Sequence, residues 1–279
     1  MNPWRVPAYL PYLQPPLTPS SAAELEIARG IALPAAYLAC LEQQNGGYIR
    51  LILDGECIPH DMIWGIGPHF PNLSDYHEEL DPELREENDE DGVWMPEDCG
   101  RLVPFDGDGH WYLCLDYRAG PDPAVSYVDV EVGVDRRVAD SFEGYLAMLK
   151  PDNGTSFLGL RGVASVDEVA RRLQAFVPAE FGPANADASG YPVRRCGLAS
   201  GGDPEWIWLS PNRVPRGFVR ASDRRYPELK DLLPGEALRL PEHPDVVVVV
   251  ECTGSLRNRL VDWCRRAGMD AQVLLTAPS

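Results

Sequence analysis

The densest group of charged side chains lies between residues 75 and 98, where twelve carboxylates stand against one cation, Arg85. Such a field attracts cationic partners and raises association rates by about 10- to 1,000-fold, with strong salt dependence. Aromatic side chains among the acids can anchor an interface. A solvated loop that aids solubility is the alternative interpretation. The residues predicted to bind a partner are Asp75, Tyr76, Glu78, Glu79, Asp81, Glu83, Glu86, Glu87, Asp89, Glu90, Asp91 and Trp94.

A second acidic pattern, Asp106-Gly107-Asp108-Gly109, resembles the start of a calcium-binding loop. An EF-hand loop that begins at Asp106 needs an acid at its twelfth position, where Tyr117 stands, so a hairpin turn is favoured. The histidines show neither HxxxH nor HExxH spacing. We therefore predict no metal and no cofactor, although a metal site assembled by folding stays open.

Cys252 is the best-placed candidate nucleophile, because it follows a predicted strand and precedes a helix whose amides could hold an anion. Cysteine phosphatases place an arginine after five intervening residues. Here Arg257 follows after four, and Asn258 takes the required position. The chain also has no GxSxG elbow, Walker A motif or Rossmann glycine signature. These absences predict a protein without catalytic activity. An enzyme centred on Cys252 is kept as the least favoured alternative.

The charge of the chain is concentrated in its first half. Residues 1–150 hold 27 acidic and 9 basic side chains, whereas residues 151–279 hold 16 of each, which together give the net charge of −18. The asymmetry predicts two units with different surfaces. It also argues against direct nucleic-acid binding by the first half, since phosphates need cations opposite them.

The sequence predicts neither a secretory signal nor a membrane-spanning segment. Its start lacks the basic and apolar regions of a secretory signal, and no apolar stretch approaches the length of about 20 residues that spans a bilayer. The seven cysteines are odd in number and form no CxxC pair. Reduced thiols in a cytoplasmic protein fit this pattern best.

The predicted organisation has three parts. Residues 1–19, rich in proline and aromatic side chains, form an extended arm because proline forbids a regular helix. Residues 20–150 form the first domain, with the acidic insertion at 68–100. A turn-forming cluster at 151–154 marks the boundary, and residues 151–279 form a second domain whose role the sequence does not assign.

The first domain mixes helices and strands. A capping box predicts a helix that starts at Ser21, and a second helix ends at residues 45–47. Residues 102–105 and 111–117 predict a hairpin, and residues 125–132 alternate so that Val128, Val130 and Val132 share an apolar face. Ser141 caps the predicted closing helix.

The second domain begins and ends with a strand–helix–strand pattern. Strands are predicted at 157–160, 205–209, 245–252 and 271–275. A capping box at Ser165 opens one helix, and Ser255 is a candidate cap for another. This order indicates a small α/β sandwich, of which the ferredoxin-like arrangement is one form.

Three stretches of the first domain resemble the SUKH superfamily, the Smi/Knr-type domain. They are GIALPAAYLACLEQQNGGY at 30–48, LVPFDGDGHWYLCLDYR at 102–118 and SFEGYLAML at 141–149. Their order agrees with the family over about residues 20–150, and the insertion at 68–100 departs from it. The resemblance implies an α+β fold in which helices flank one antiparallel sheet, and binding rather than catalysis.

Bacterial members of this superfamily are mostly immunity proteins that occupy polymorphic toxins, often nucleases or nucleic-acid deaminases. Fungal relatives act as interaction hubs. The resemblance therefore implies an immunity protein whose partner is a cognate basic toxin, with no direct contact to nucleic acid or membrane. A scaffold or regulator that uses the same domain without a toxin is the alternative.

Overall fold

The computed structural model describes residues 2–53, 60–67, 94–150, 154–186, 192–199, 204–219, 226–229 and 235–275. The chain forms two compact units. The N-terminal unit comprises Met1–Trp4 and Pro11–Leu149, and the C-terminal unit comprises Arg5–Leu10 and Lys150–Ser279. Within the described residues no helix is both long and apolar enough to cross a membrane.

Within its described residues the N-terminal unit has three α-helices: α1 (Pro19–Arg29), α2 (Ala35–Gln43) and α3 (Phe142–Met148). The predicted cap of α1 was wrong. The cap is Thr18, whose side chain accepts a hydrogen bond from the Ser21 amide while the Ser21 hydroxyl lies 3.1 Å from the Thr18 amide. Pro19 at the first position is compatible with this earlier start. Ser141 caps α3 as predicted.

The described part of the N-terminal unit contains one four-stranded antiparallel sheet and two short strand pairs. A four-stranded sheet has the order β4-β5-β6-β7, and two short pairs, β1 with β3 and β2 with β8, lie outside it. The bounds are β1 Gly47–Tyr48, β2 Ile52–Leu53, β3 Met62–Ile63, β4 Leu102–Gly107, β5 Trp111–Asp116, β6 Ala124–Asp129, β7 Val134–Ala139 and β8 Leu149–Lys150.

The core of this unit lies between one face of the four-stranded sheet and the helices. Phe105 of β4 packs edge-on against Phe142 of α3, with ring centroids 5.3 Å apart, and Tyr37 of α2 lies 5.0 Å from the same ring. Leu113 and Val125 complete the buried sheet face. The α+β fold with helices against an antiparallel sheet is therefore confirmed for this unit.

The C-terminal unit is built on a six-stranded sheet with the order β10-β11-β12-β15-β9-β16, in which all neighbours are antiparallel. A separate pair joins β13 to β14. The strand bounds are β9 Thr155–Arg161, β10 Asn185–Ala186, β11 Pro192–Leu198, β12 Glu205–Pro211, β13 Arg213–Pro215, β14 Glu236–Leu238, β15 Val248–Thr253 and β16 Asp270–Leu275. The helices are α4 Val166–Leu173, α5 Tyr226–Leu229 and α6 Arg257–Arg266.

Helices α4 and α6 cover one face of this sheet. Val169 of α4 and Leu260 of α6 are buried with Leu158 and Val250 of the central strands. The run β12-β15-β9-β16, with α4 after β9 and α6 after β15, is the order of a split β-α-β arrangement. The edge strands β10 and β11 are additions to it, and a ferredoxin-like class for the whole unit stays a prediction.

Candidate interaction surface

Most of the residues predicted to bind a partner lie outside the described residues. They are Asp75, Tyr76, Glu78, Glu79, Asp81, Glu83, Glu86, Glu87, Asp89, Glu90 and Asp91. Trp94 stands three positions after Asp91. It is the predicted partner-binding residue whose surroundings the structure describes.

Trp94 lies against the turn between β6 and β7. A Cβ atom placed on Gly133 would meet the Trp94 Cγ and Cδ2 atoms at 3.6 Å, which is van der Waals contact. Gly133 has φ +71°, a left-handed conformation that favours glycine. The indole keeps 39% of its surface exposed. Trp94 is thus held at the end of the sheet while much of its ring remains open to a partner.

The turn beside Trp94 is shaped by Asp129. Its Oδ1 accepts hydrogen bonds from the amides of Glu131 and Val132, each at 3.0 Å, and its Oδ2 accepts one from the Tyr127 hydroxyl. Burial, together with this bond to Asp129, raises the pKa of Tyr127 to about 12. The strand was predicted to continue to Val132, but it ends at Asp129, and Val132 is 69% exposed.

The neighbouring hairpin loop adds further charge at the same end of the sheet. Asp108 Oδ1 accepts hydrogen bonds from the amides of His110 and Trp111. Burial alone would raise the pKa of Asp108, but these bonds outweigh it and lower the pKa. His110 Nδ1 lies 3.5 Å from Glu131 Oε2, which links this loop to the β6–β7 turn.

These residues define a sheet-end surface, comprising Trp94, Asp108, His110, Glu131 and Val132. Exposed carboxylates flank two exposed apolar side chains, an arrangement that suits a partner with a cationic rim around an apolar contact. The role of Trp94 in partner binding stays a prediction. Val132 was predicted to lie on an apolar strand face, but it is exposed because the strand ends at Asp129. A group of three or more side chains able to hold a metal ion is not found within the described ranges.

Residues 16–148 match the model of the SMI1 / KNR4 family (SUKH-1). This range includes the capping residues Thr18 and Ser141 and the four-stranded sheet. This part of the chain is a SUKH domain. A search of curated proteins found no match to the chain. The sheet-end surface therefore belongs to a SUKH domain, and the acidic run lies between β3 and β4 along the sequence. That this run is an insertion into the family's pattern stays a prediction.

Inside the SUKH domain lies a polar network that sequence reasoning missed. His60 joins two other buried side chains, with Nδ1 at Asp106 Oδ2 and Nε2 at the Tyr145 hydroxyl. Asp106 was predicted to lie in the hairpin turn, but it is the fifth residue of β4. Burial raises the pKa of Asp106 despite its contact with His60, and burial raises the pKa of Tyr145 well above its ordinary value.

The network connects three elements of the SUKH domain. His60 precedes β3, Asp106 lies in β4 and Tyr145 lies in α3. Because all three side chains are buried, they cannot meet a macromolecular partner, and their contacts fix the closing helix to the sheet. No local pattern signals such a network, since its members are separated by 46 and 85 positions along the chain.

The candidate nucleophile of the C-terminal unit is not activated. Cys252 is 2% exposed, and burial, helped by nearby Glu251, raises its pKa to about 12. The thiol is therefore protonated near neutral pH, whereas a reactive cysteine needs a lowered pKa. Ser255, a candidate cap, instead donates its hydroxyl hydrogen bond to Glu205 at 2.7 Å.

Proposed function

We propose that this chain is an immunity protein whose SUKH domain binds and neutralises a basic protein toxin, of the nuclease or deaminase type, in the cytoplasm. One observation carries the proposal: the first half of the chain holds 27 carboxylates against 9 cations. The densest part of this excess directly precedes the Gly92-Val93-Trp94 stretch in the sequence. An exposed aromatic side chain therefore stands within a few positions of the acidic run along the chain.

Electrostatic complementarity gives the proposed mechanism. A nuclease or nucleic-acid deaminase carries cations that hold phosphates, and a dense set of carboxylates is attracted to the same groove. The attraction acts at a distance, so it speeds encounter and weakens as salt rises. A carboxylate surface seated in the groove keeps the nucleic acid out.

Charge alone does not hold a complex for long, and residence depends on well-packed, desolvated contacts. Trp94 and Val132 supply exposed apolar surface beside the carboxylates of Glu131 and Asp108. The proposed function is binding without catalysis. The protonated Cys252 and the buried His60 network support this, because neither offers a reactive group to a substrate.

The test is co-expression with a toxin encoded by a neighbouring gene, followed by binding kinetics on the full chain. Reversing Glu78, Glu79, Glu86 and Glu87 to lysine is expected to lower the association rate at low salt by about 10-fold or more. It should also flatten the salt dependence. Trp94→Ala is expected to act mainly on the dissociation rate.

A matched control reverses four exposed carboxylates elsewhere in the N-terminal unit: Glu24, Glu42, Asp122 and Asp140. It changes the net charge equally, so it separates the local field from the total charge. If both quadruple variants bind with unchanged rate and salt dependence, the acidic mechanism is wrong. If no toxin gene lies beside the gene of this protein, and the protein protects cells against no toxin, the scaffold or regulator would be favoured.

A further inference from the structure

The C-terminal unit has a short groove on the sheet face opposite α4 and α6, with a volume of about 110 Å³. Trp206 and Trp208 of β12, Glu251 and Thr253 of β15, and Thr155 of β9 line it. Trp208 lies directly across from Glu251 in the sheet register. The lining thus comes from three adjacent hydrogen-bonded strands, which hold it as one surface.

Trp206 is fixed in place yet open. Its ring lies across Gly197 of β11, where a Cβ atom would come within 2.9 Å of its Cζ3. The side chain nevertheless remains 40% exposed. Covering a glycine explains the ring's position, and the exposed 40% of the indole lies beside the groove.

Trp208 contributes an unmet hydrogen-bond donor. Its Nε1 is buried and has no acceptor among the residues that the structure describes. Buried indole N–H groups usually find a partner. An occupant that brings a carbonyl oxygen, such as a peptide residue, is chemically able to satisfy it.

Glu251 supplies a carboxylate that is only partly used. Its Oε2 accepts a hydrogen bond of 2.7 Å from Arg239, while its side chain is 16% exposed. Within the described part of the chain, no partner lies at Oε1. An ionised carboxylate offers about four lone-pair sites, so a single guanidinium does not exhaust it.

We propose that this groove binds one arginine or lysine residue of the basic protein partner, whose side chain supplies the cation and whose backbone carbonyl is the acceptor for the Trp208 N–H, since the cationic side chain itself has no acceptor. Indole faces attract cations, and the Glu251 carboxylate adds a charged acceptor. The volume suits a single side chain, since pockets for drug-sized ligands measure about 300–1,000 Å³. This inference rests on the proposed function, because it needs a basic partner.

A nucleotide is the competing occupant, since a base stacks on indoles as well. It would, however, bring a phosphate towards Glu251. The cation is therefore favoured by charge, and the nucleotide is kept as an outcome of the test.

The test follows the indole N–H signals of the full-length, ¹⁵N-labelled chain by NMR during titration with small probes. The probes are the N-acetyl amides of arginine, lysine and citrulline, and adenosine monophosphate. We expect saturable shifts of the Trp206 and Trp208 signals with arginine or lysine, at an affinity about 10-fold higher than for neutral citrulline. The ranking of arginine and lysine distinguishes guanidinium from ammonium recognition.

Trp206→Leu should weaken this affinity by about 5-fold or more, and its exposure makes the exchange tolerable for folding. Trp263→Leu is the matched control, because Trp263 lies on α6, across the sheet from the groove. Glu251→Gln should remove the preference for the charged probes. Equal binding of citrulline, tighter binding of the nucleotide, or no shift with any probe would overturn the proposal. The titration uses no toxin, so its failure leaves the immunity function standing.

Discussion

The buried network of the SUKH domain can be probed by removing one oxygen atom. In Tyr145→Phe the hydroxyl that contacts His60 is lost. The aromatic ring stays packed against Phe105 and Phe142, whose ring centroids lie 5.3 and 5.2 Å away. The perturbation is therefore confined to a hydrogen bond, and the apolar packing of α3 is preserved.

The expected loss follows from burial. Tyr145, His60 and Asp106 are all buried. In the variant, His60 Nε2 therefore loses its partner and cannot form a hydrogen bond with water instead. Leaving a buried polar group unpartnered costs about 1–3 kcal/mol. We expect the free energy of unfolding to fall by about 2 kcal/mol, which for a unit of about 150 residues lowers Tm by about 4–8 °C.

Tyr127→Phe provides the matched control. Its hydroxyl donates to Asp129 at 3.0 Å, but this pair lies near the surface and Asp129 retains two backbone amides. The control should lose less than about 1 kcal/mol. Urea unfolding of the full chain, followed by circular dichroism and tryptophan fluorescence, measures both, since two units need not unfold together. A loss in Tyr145→Phe no greater than that of the control would refute the reasoning.

Two further predictions concern the same domain. Burial raises the pKa of Asp106 above its unfolded value, so its stabilising contribution is complete below the unfolded pKa of about 3.9 and is lost as pH rises through the folded pKa. Asp106→Asn should flatten this fall, as measured by urea midpoints over a pH series, and an unchanged slope would contradict the assignment. Gly46→Ala should destabilise by about 3 kcal/mol or more, because φ is +88° and a Cβ atom would lie 2.6 Å from the Gly65 amide nitrogen. Gly30→Ala, at φ +63° with open space around it, should lose only about 1–2 kcal/mol in thermal unfolding, and equal losses would exclude the close approach as the cause.

Local signals in the sequence identified much of the fold correctly. The caps at Ser141 and Ser165 lie where the sequence predicts them, because a cap depends on hydrogen bonds within four residues. The cap of α1 was misplaced by three positions, because the capping-box pattern expects Glu or Gln three residues after the cap, whereas Thr18 is followed at that position by Ser21. Short-range rules therefore give the correct element even where they give the wrong boundary.

The candidate sites depend on pairs that sequence spacing does not reveal. Trp94 meets Gly133 only because the chain returns to the end of the sheet. Trp208 meets Glu251 through strand register over 43 positions of the chain. A composition count identified the acidic run as a candidate for binding, but it had no means of finding the groove in a half of the chain whose charges balance.

The membership of Arg5–Leu10 in the C-terminal unit has a consequence for biosynthesis. A Cβ atom on Gly217 would lie 2.7 Å from the Leu10 side chain, so this early segment is closely packed in its unit. The segment leaves the ribosome before residues 11–149, which belong to the other unit. Translation proceeds at about 5–20 residues per second, so roughly 7–28 s pass between synthesis of this segment and synthesis of the first residues it packs against. A fragment that starts at residue 150 would lack this piece, and supplying the missing hexapeptide in trans would be the natural way to restore it.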